Sequence, residues 1–267
     1  MKIISWTIIN NEIEFIQDLI DYHLEWLDGM YFLDNGSTDG TLEYLLSRTS
    51  DRIIVEKYHT SFSPDYSKAW EAMSNPFPEV EVRNYALSQV EKLNSDWIIQ
   101  LDADEVFLKK TRSIIEINND YEILSLSTFN PVCPLNEHPI EMRVNKKTGD
   151  KIKMWDPHAR IWKPNLGFKF INNPALKGVS YHCIPVHNGR HLYHHDKNIF
   201  LNNPLHFHLH WMCYRKLESF YNNTKTIFNR AEMVRNQKLH EFSALVPKLF
   251  WDRRAQWIKQ GDNTKNA

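Results

Sequence analysis

Residues 97–105, Trp-Ile-Ile-Gln-Leu-Asp-Ala-Asp-Glu, run from a block of apolar side chains straight into acids, with one small residue between Asp102 and Asp104. A short apolar run that ends in carboxylates reads as a buried strand surfacing at its carboxyl end. On an extended chain alternate side chains share a face, so Asp102 and Asp104 are expected to point the same way and Ala103 the opposite way. Two hard oxygen donors at one point suit a Mg²⁺ or Mn²⁺ ion that carries phosphates. The competing reading is a strand that ends in a solvated acidic turn.

Working back toward the amino terminus, residues 2–9 are β-branched and apolar enough for a second buried strand. Asn11, with Glu14 three residues on, fits a capped helix start. Ile13, Ile16, Leu19, Ile20, Leu24 and Leu27 then recur at helical spacing up to Asp28-Gly29. Residues 30–33 form another strand that ends in an acid, Asp34, followed by a turn, Asn35 to Thr41, dense in residues that tolerate positive φ or cap helices. A short helix (42–46), a strand (52–56), a long Pro- and aromatic-containing loop (59–78) and a helix (79–93) complete the approach to residue 97. Strands alternating with helices define an α/β fold with a mostly parallel sheet flanked by helices. Ligands in such sheets bind beyond the carboxyl ends of the strands, where Asp34, Asp102 and Asp104 are all expected.

Downstream, the pattern predicts a strand over 121–129, an irregular Pro-rich segment over 130–160, strands over 160–163 and 168–171, and amphipathic helices over 220–235 and 241–258. Nine of the 13 histidines fall between 158 and 210, so any late histidine ligand is sought there. No repeat or low-complexity linker interrupts the 267 residues, which suits one domain with a variable half after residue 110.

The net charge of −1 gives no basic field for nucleic acid, and no run approaches the ~18 apolar residues of a membrane span. Cys133, Cys183 and Cys213 are odd in number and widely spaced. That suits free thiols in a reducing compartment, hence a cytoplasmic location.

The string Phe32-Leu33-Asp34-Asn35-Gly36-Ser37-Thr38-Asp39-Gly40-Thr41 resembles the second-strand signature of the family 2 nucleotide-sugar glycosyltransferases of the GT-A fold. Asn11-Glu12, Arg83-Asn84 and Asp102-Ala103-Asp104 are similar in order and spacing to that family's early Asn-Glu pair, Arg-Asn element and Asp-x-Asp metal motif, over about residues 1–110. Beyond residue 130 the likeness thins to Arg-Ile-Trp-Lys (160–163), a Gly-Val-x-x-His (178–182) and the late histidines. The resemblance implies a metal-dependent, inverting transfer of a sugar from a nucleoside diphosphate donor, with a uridine diphosphate sugar expected, to a carbohydrate or glycoconjugate acceptor. Asp34 would then meet the base or ribose, with the main chain at Thr7 to Ile9 lining the base and Glu12 and Asn35 nearby. Arg83 would reach the nucleotide or its phosphates, Asp102 and Ala103 the ribose or metal shell, and Asp104 the Mn²⁺ or Mg²⁺ ion.

Such a transfer needs a cation to neutralise the leaving diphosphate, an acceptor held in line, and a general base. Candidate bases are Asp156, Glu137, Glu141 and Asp196; Asp156 is preferred because it lies in an aromatic, Pro-flanked loop able to close over an acceptor. The family often shows an acid after the Gly-x-x-His histidine, whereas Cys183 follows His182 here. His206, His208 and His210 alternate, so on a strand they share a face, and one could complete the metal shell opposite Asp104. Two other classes remain open. Asp102-Ala103-Asp104-Glu105-Val106 also fits the nucleophile loop of haloacid dehalogenase-type phosphotransferases, with Asp102 as nucleophile, and a non-catalytic nucleotide-sugar binding module would use the same acids.

Overall fold

The computed structural model describes residues 1–58, 79–129, 142–144, 151–153, 157–172, 183–209 and 247–250. In chain order its first elements are β1 (Ile3–Ile9), α1 (Ile13–His23), β2 (Gly29–Asp34), α2 (Thr41–Ser47), β3 (Ile53–Lys57), α3 (Glu79–Val90) and β4 (Trp97–Gln100). There follow β5 (Glu105–Phe107), α4 (Thr111–Ile117), β6 (Ile123–Phe129), β7 (Met142–Val144), β8 (Lys151–Lys153) and β9 (Pro157–Trp162). The remaining strands are β10 (Lys169–Asn172), β11 (Cys183–His187), β12 (Arg190–His191) and β13 (Asn198–His208).

The chain forms two compact units, the first comprising Met1–Ala103, Arg112–Ser125 and Ala159–Leu201, the second Asp104–Thr111, Leu126–His158 and Asn202–Ala267. The first is α/β. Its strands run in the order β3-β2-β1-β4-β9-β6-β13, and β3, β2, β1 and β4 are mutually parallel. Trp6 lies level with Tyr31 on one side and Gln100 on the other, and β9 joins β4 antiparallel, Ile99 opposite Ile161. Ile4, Trp6, Tyr31 and Leu33 alternate onto the face that packs α3 through Val82, Ala86 and Val90. Trp6 meets Trp162 and Phe170 edge-on, at 6.5 and 6.0 Å between ring centroids. With Trp6 and Trp162 1 % and 0 % exposed, truncating either to Ala would cost about 3–5 kcal/mol. β10, β11 and β12 form a small antiparallel sheet. In the second unit, β5 pairs antiparallel with the end of β13, and β7 with β8.

The elements predicted up to residue 100 are present within two or three residues of their expected limits, with two differences. The regular helix α1 stops at His23, and residues 24–27 continue as hydrogen-bonded turns onto the His23 carbonyl. Asn11 does not cap α1: it takes φ 57°, and the residue at the cap position is Glu12, which makes no side-chain cap bond. Further on, β5, α4, β11, β12 and β13 lie outside the predicted elements, and 130–160, expected to be irregular, holds β7, β8 and most of β9. The loop at 59–78 and the helix at 220–235 lie outside the described residues, as does the helix at 241–258 apart from a helical turn at residues 248–250.

Candidate active site

Because β1, β2 and β4 are parallel, Ile9, Asp34 and Gln100 end their strands on one edge of the sheet. Asp34 is 1 % exposed. Its Oδ2 accepts from the backbone N–H groups of Gly36 (3.0 Å) and Ser37 (3.1 Å), a turn that needs the positive φ of Gly36, +82°. Its Oδ1 is buried with no hydrogen-bond partner among the described residues. Leaving a buried acceptor bare costs about 1–3 kcal/mol, more when it is charged, so such an atom marks a place for a donor beyond the described residues.

The turn that holds Asp34 is fastened to the β1–α1 loop bond by bond. Asn35 N–H donates to the Ile9 carbonyl (2.8 Å), and Asn10 Nδ2 donates to the Asn35 carbonyl (2.7 Å). Asn11 Oδ1 accepts from Thr38 N–H (2.7 Å), while Asn11 N–H donates to Ser37 Oγ (3.0 Å). Two donors at the start of α1 are satisfied from across the gap: Glu12 N–H by Thr41 Oγ1 (2.9 Å) and Ile13 N–H by Asp39 Oδ2 (3.2 Å). Asp39 Oδ1 also accepts from the N–H and hydroxyl of Thr41, at 3.0 and 2.5 Å. Asp34, Asn35, Gly36, Ser37, Thr38, Asp39 and Thr41 thus each have a job in shaping this turn.

A second cluster lies at the end of β4. Arg160, on β9, is 8 % exposed and sends Nη2 to Asp102 Oδ2 at 3.2 Å. Arg83, on α3, faces Asp102 Oδ1 at 3.6 Å, pairs through Nε with Glu79 at 2.7 Å, and lies over the Phe170 ring at 5.9 Å. The Gln100 side-chain oxygen, oriented to suit its donors, accepts from both Arg83 Nη1 and Arg160 Nη1 at 2.5 Å. Neither Gln100 nor this role of Arg160 was anticipated. An arginine inside the apolar strand Ala159-Arg160-Ile161-Trp162 was the available signal, since a buried guanidinium requires a carboxylate. Neighbouring Asn84 fixes β10, donating to the Phe170 carbonyl (3.0 Å) and accepting from its N–H (2.8 Å).

Residues 101–104 lie outside β4, with a turn at 103–104, so the strand alternation expected for Asp102 and Asp104 does not apply. Asp104, in the second unit, is 7 % exposed, and its carbonyl accepts from Leu209 N–H at 2.6 Å. In the same unit His206 is fully buried, stacked on Phe107 at 4.2 Å, with Nε2 3.2 Å from Glu105 Oε2. His208 stands opposite Glu105 in the backbone register. Thr7, Ile9 and Ala103 are buried, Glu12 and Arg83 half-buried, and Asp196 is exposed. Asp156, Glu137, Glu141 and His210 lie outside the described residues. No group of three His, Cys, Asp or Glu poised for a metal ion occurs among the described residues.

At the end of β3, Glu56 accepts from Tyr31 (2.7 Å) and from Tyr85. Burial, and then the Glu56 carboxylate, push the Tyr31 phenol far above its ordinary range; the Glu56 bond, and then burial, raise Tyr85.

No family model matches the chain, and no curated protein does. Solved structures similar to it include residues 1–349 of TarS from S. aureus, at 12% identity and a TM-score of 0.46, over 88% of this chain and 67% of that one. The 4-diphosphocytidyl-2C-methyl-D-erythritol synthase of Anaerococcus prevotii DSM 20548 is similar at 10% identity and a TM-score of 0.28, over 61% and 70% of the two chains. The bifunctional IspDF of Campylobacter jejuni gives 9% and 0.36, over 76% of this chain and 50% of that one. No helix among the described residues is long and apolar enough to cross a membrane.

Proposed function

We propose that this chain is a GT-A-type, inverting glycosyltransferase that takes a sugar from a nucleoside diphosphate donor, a uridine diphosphate sugar in the first instance, with Mn²⁺ or Mg²⁺. The observation that carries the reading is Asp34. A carboxylate buried at the carboxyl edge of parallel strands, with one oxygen locked by two N–H groups and the other bare, is built to accept from a ligand donor. An imide N–H of a pyrimidine base is such a donor, and the string from Phe32 to Thr41 resembles that family's signature.

Arg83 is drawn toward the donor's phosphates and Asp102 toward its ribose. A cation would take one or two carboxylates, Asp104 first, and complete its shell with diphosphate oxygens and water, the usual habit of Mg²⁺, so a preformed cage of three protein ligands is not required. When bound, the ion neutralises charge on the departing diphosphate. Asp156 is proposed as the base that takes the acceptor's proton, a step worth about 10²–10⁴-fold.

The test is release of free nucleotide from a panel of nucleotide sugars with Mn²⁺, by the unmodified chain and by Asp34→Asn and Asp104→Asn. The expected result is uridine diphosphate released from one or more uridine donors by the unmodified chain and not by either variant. Equal turnover by all three proteins, or no turnover of any donor, would overturn the assignment.

A further inference from the structure

Arg160 is a buried charge to which no step of the proposed transfer assigns a task. It stands in an apolar strand between Ala159, 5 % exposed, and Ile161, fully buried, where a guanidinium persists only beside a compensating carboxylate. Two of its donors are met by groups at the end of β4: Asp102 Oδ2 at 3.2 Å and the Gln100 oxygen at 2.5 Å. Arg83 approaches the same two acceptors from the other side, its Nη1 reaching the Gln100 oxygen at 2.5 Å and Asp102 Oδ1 at 3.6 Å. Each Asp102 oxygen therefore faces a different guanidinium, and Gln100 holds the two guanidiniums at a fixed spacing. Arg83 is itself held by Glu79 and Phe170, so the clamp is anchored on α3, β4, β9 and β10.

The consequence is a division of labour between the two acids of Asp102-Ala103-Asp104. A carboxylate already balanced by two guanidiniums is a poor ligand for a further cation. It remains a good acceptor for neutral hydroxyls, and its side chain is still 30 % exposed, so a hydroxyl can reach it from outside. We propose that Arg160 is a positioning residue that acts through Asp102, fixing that carboxylate to accept from the donor's ribose hydroxyls, so that the site distinguishes ribonucleotides from 2′-deoxyribonucleotides. This rests on the reading that a nucleotide donor binds at this edge, and it gives Asp102 to the sugar of the nucleotide and leaves Asp104 to the ion.

The test is calorimetric binding of uridine diphosphate and 2′-deoxyuridine diphosphate to the unmodified chain, Arg160→Lys, Asp102→Asn and the double variant. The unmodified chain should prefer the ribonucleotide by about tenfold, the scale of one hydrogen bond to a charged group. Arg160→Lys should cut that preference to about threefold or less, mainly by weakening the ribonucleotide. Asp102→Asn should bring it near one, and adding Arg160→Lys to that variant should change it no further. An undiminished preference in Arg160→Lys, or equal weakening of both ligands, overturns the proposal, the second result being that of a merely structural residue. Gln100→Met, which removes the shared acceptor, should act in the same direction and serves if Arg160→Lys does not fold. Should the unmodified chain bind neither nucleotide, the donor reading itself falls; binding with an unaltered preference in the variants removes only the role of Arg160.

Discussion

Asp39 offers a quantitative test of how the Asp34 turn is held. Its carboxylate accepts from Thr41 N–H, from the Thr41 hydroxyl and, across the gap, from Ile13 N–H at the start of α1. Each bond to a charged acceptor is worth about 1.5–3 kcal/mol when shielded, and an N-terminal cap about 1 kcal/mol. Asp39 is half-exposed, and the bond to Ile13 lies at an exposed position where water can substitute, so that contact is discounted to a few tenths. The two bonds to Thr41 at about 1 kcal/mol each then dominate, and Asp39→Ala should destabilise the chain by about 2 kcal/mol. Asp39→Asn, which keeps an acceptor oxygen, should cost about half as much. Thr38→Ala is the control, because among the described residues its hydroxyl makes only a long, exposed contact of 3.4 Å with Asn11, and it should cost under about 0.5 kcal/mol. Urea unfolding followed by circular dichroism reads all three, with the slope against denaturant unchanged. An Asp39→Ala midpoint indistinguishable from that of Thr38→Ala would show that this carboxylate does not brace the turn at Thr41.

Asn84→Ala should destabilise by about 2 kcal/mol, since it strips both backbone partners from Phe170, and Asn84→Asp should recover part of the loss by keeping the acceptor; chemical denaturation measures both. The raised Tyr31 phenol fixes the sign of an alkaline effect. In the unfolded chain it ionises near pH ~10, while in the fold it stays neutral, so its contribution is complete below ~10 and is lost as pH rises beyond that. Denaturation at pH 8 and at pH 11 should show a drop that is smaller in Tyr31→Phe; an equal drop in both proteins would contradict this.

The parallel half of the sheet was legible because β1, β2 and β4 are runs of β-branched and aromatic residues closed by polar turns, a pattern that local physics dictates. β5 is three residues long and opens on Glu105, and α4 follows Lys109-Lys110, so both look like a charged turn until β13 supplies Phe107 and Val106 with partners. The helix-cap expectation for Asn11 fails for a related reason. Its helix-start position is local, but its bonds to Ser37 and Thr38 are made 26 and 27 residues away. The acids of the site could be picked out from strand ends. The guanidinium clamp on Asp102 could not, since it joins residues from α3, β4 and β9 that only the fold brings together.

In the proposed function the buried Asp34 carboxylate accepts a hydrogen bond from a nucleotide donor. Calorimetric titration of uridine diphosphate into the unmodified chain and into Asp34→Asn measures it most directly, because the amide can keep the two bonds from Gly36 and Ser37 while replacing the bare acceptor oxygen with a donor. Binding by the unmodified chain and a loss of at least about tenfold in Asp34→Asn at unchanged thermal stability are expected. Affinities within twofold of each other would remove Asp34 from nucleotide binding.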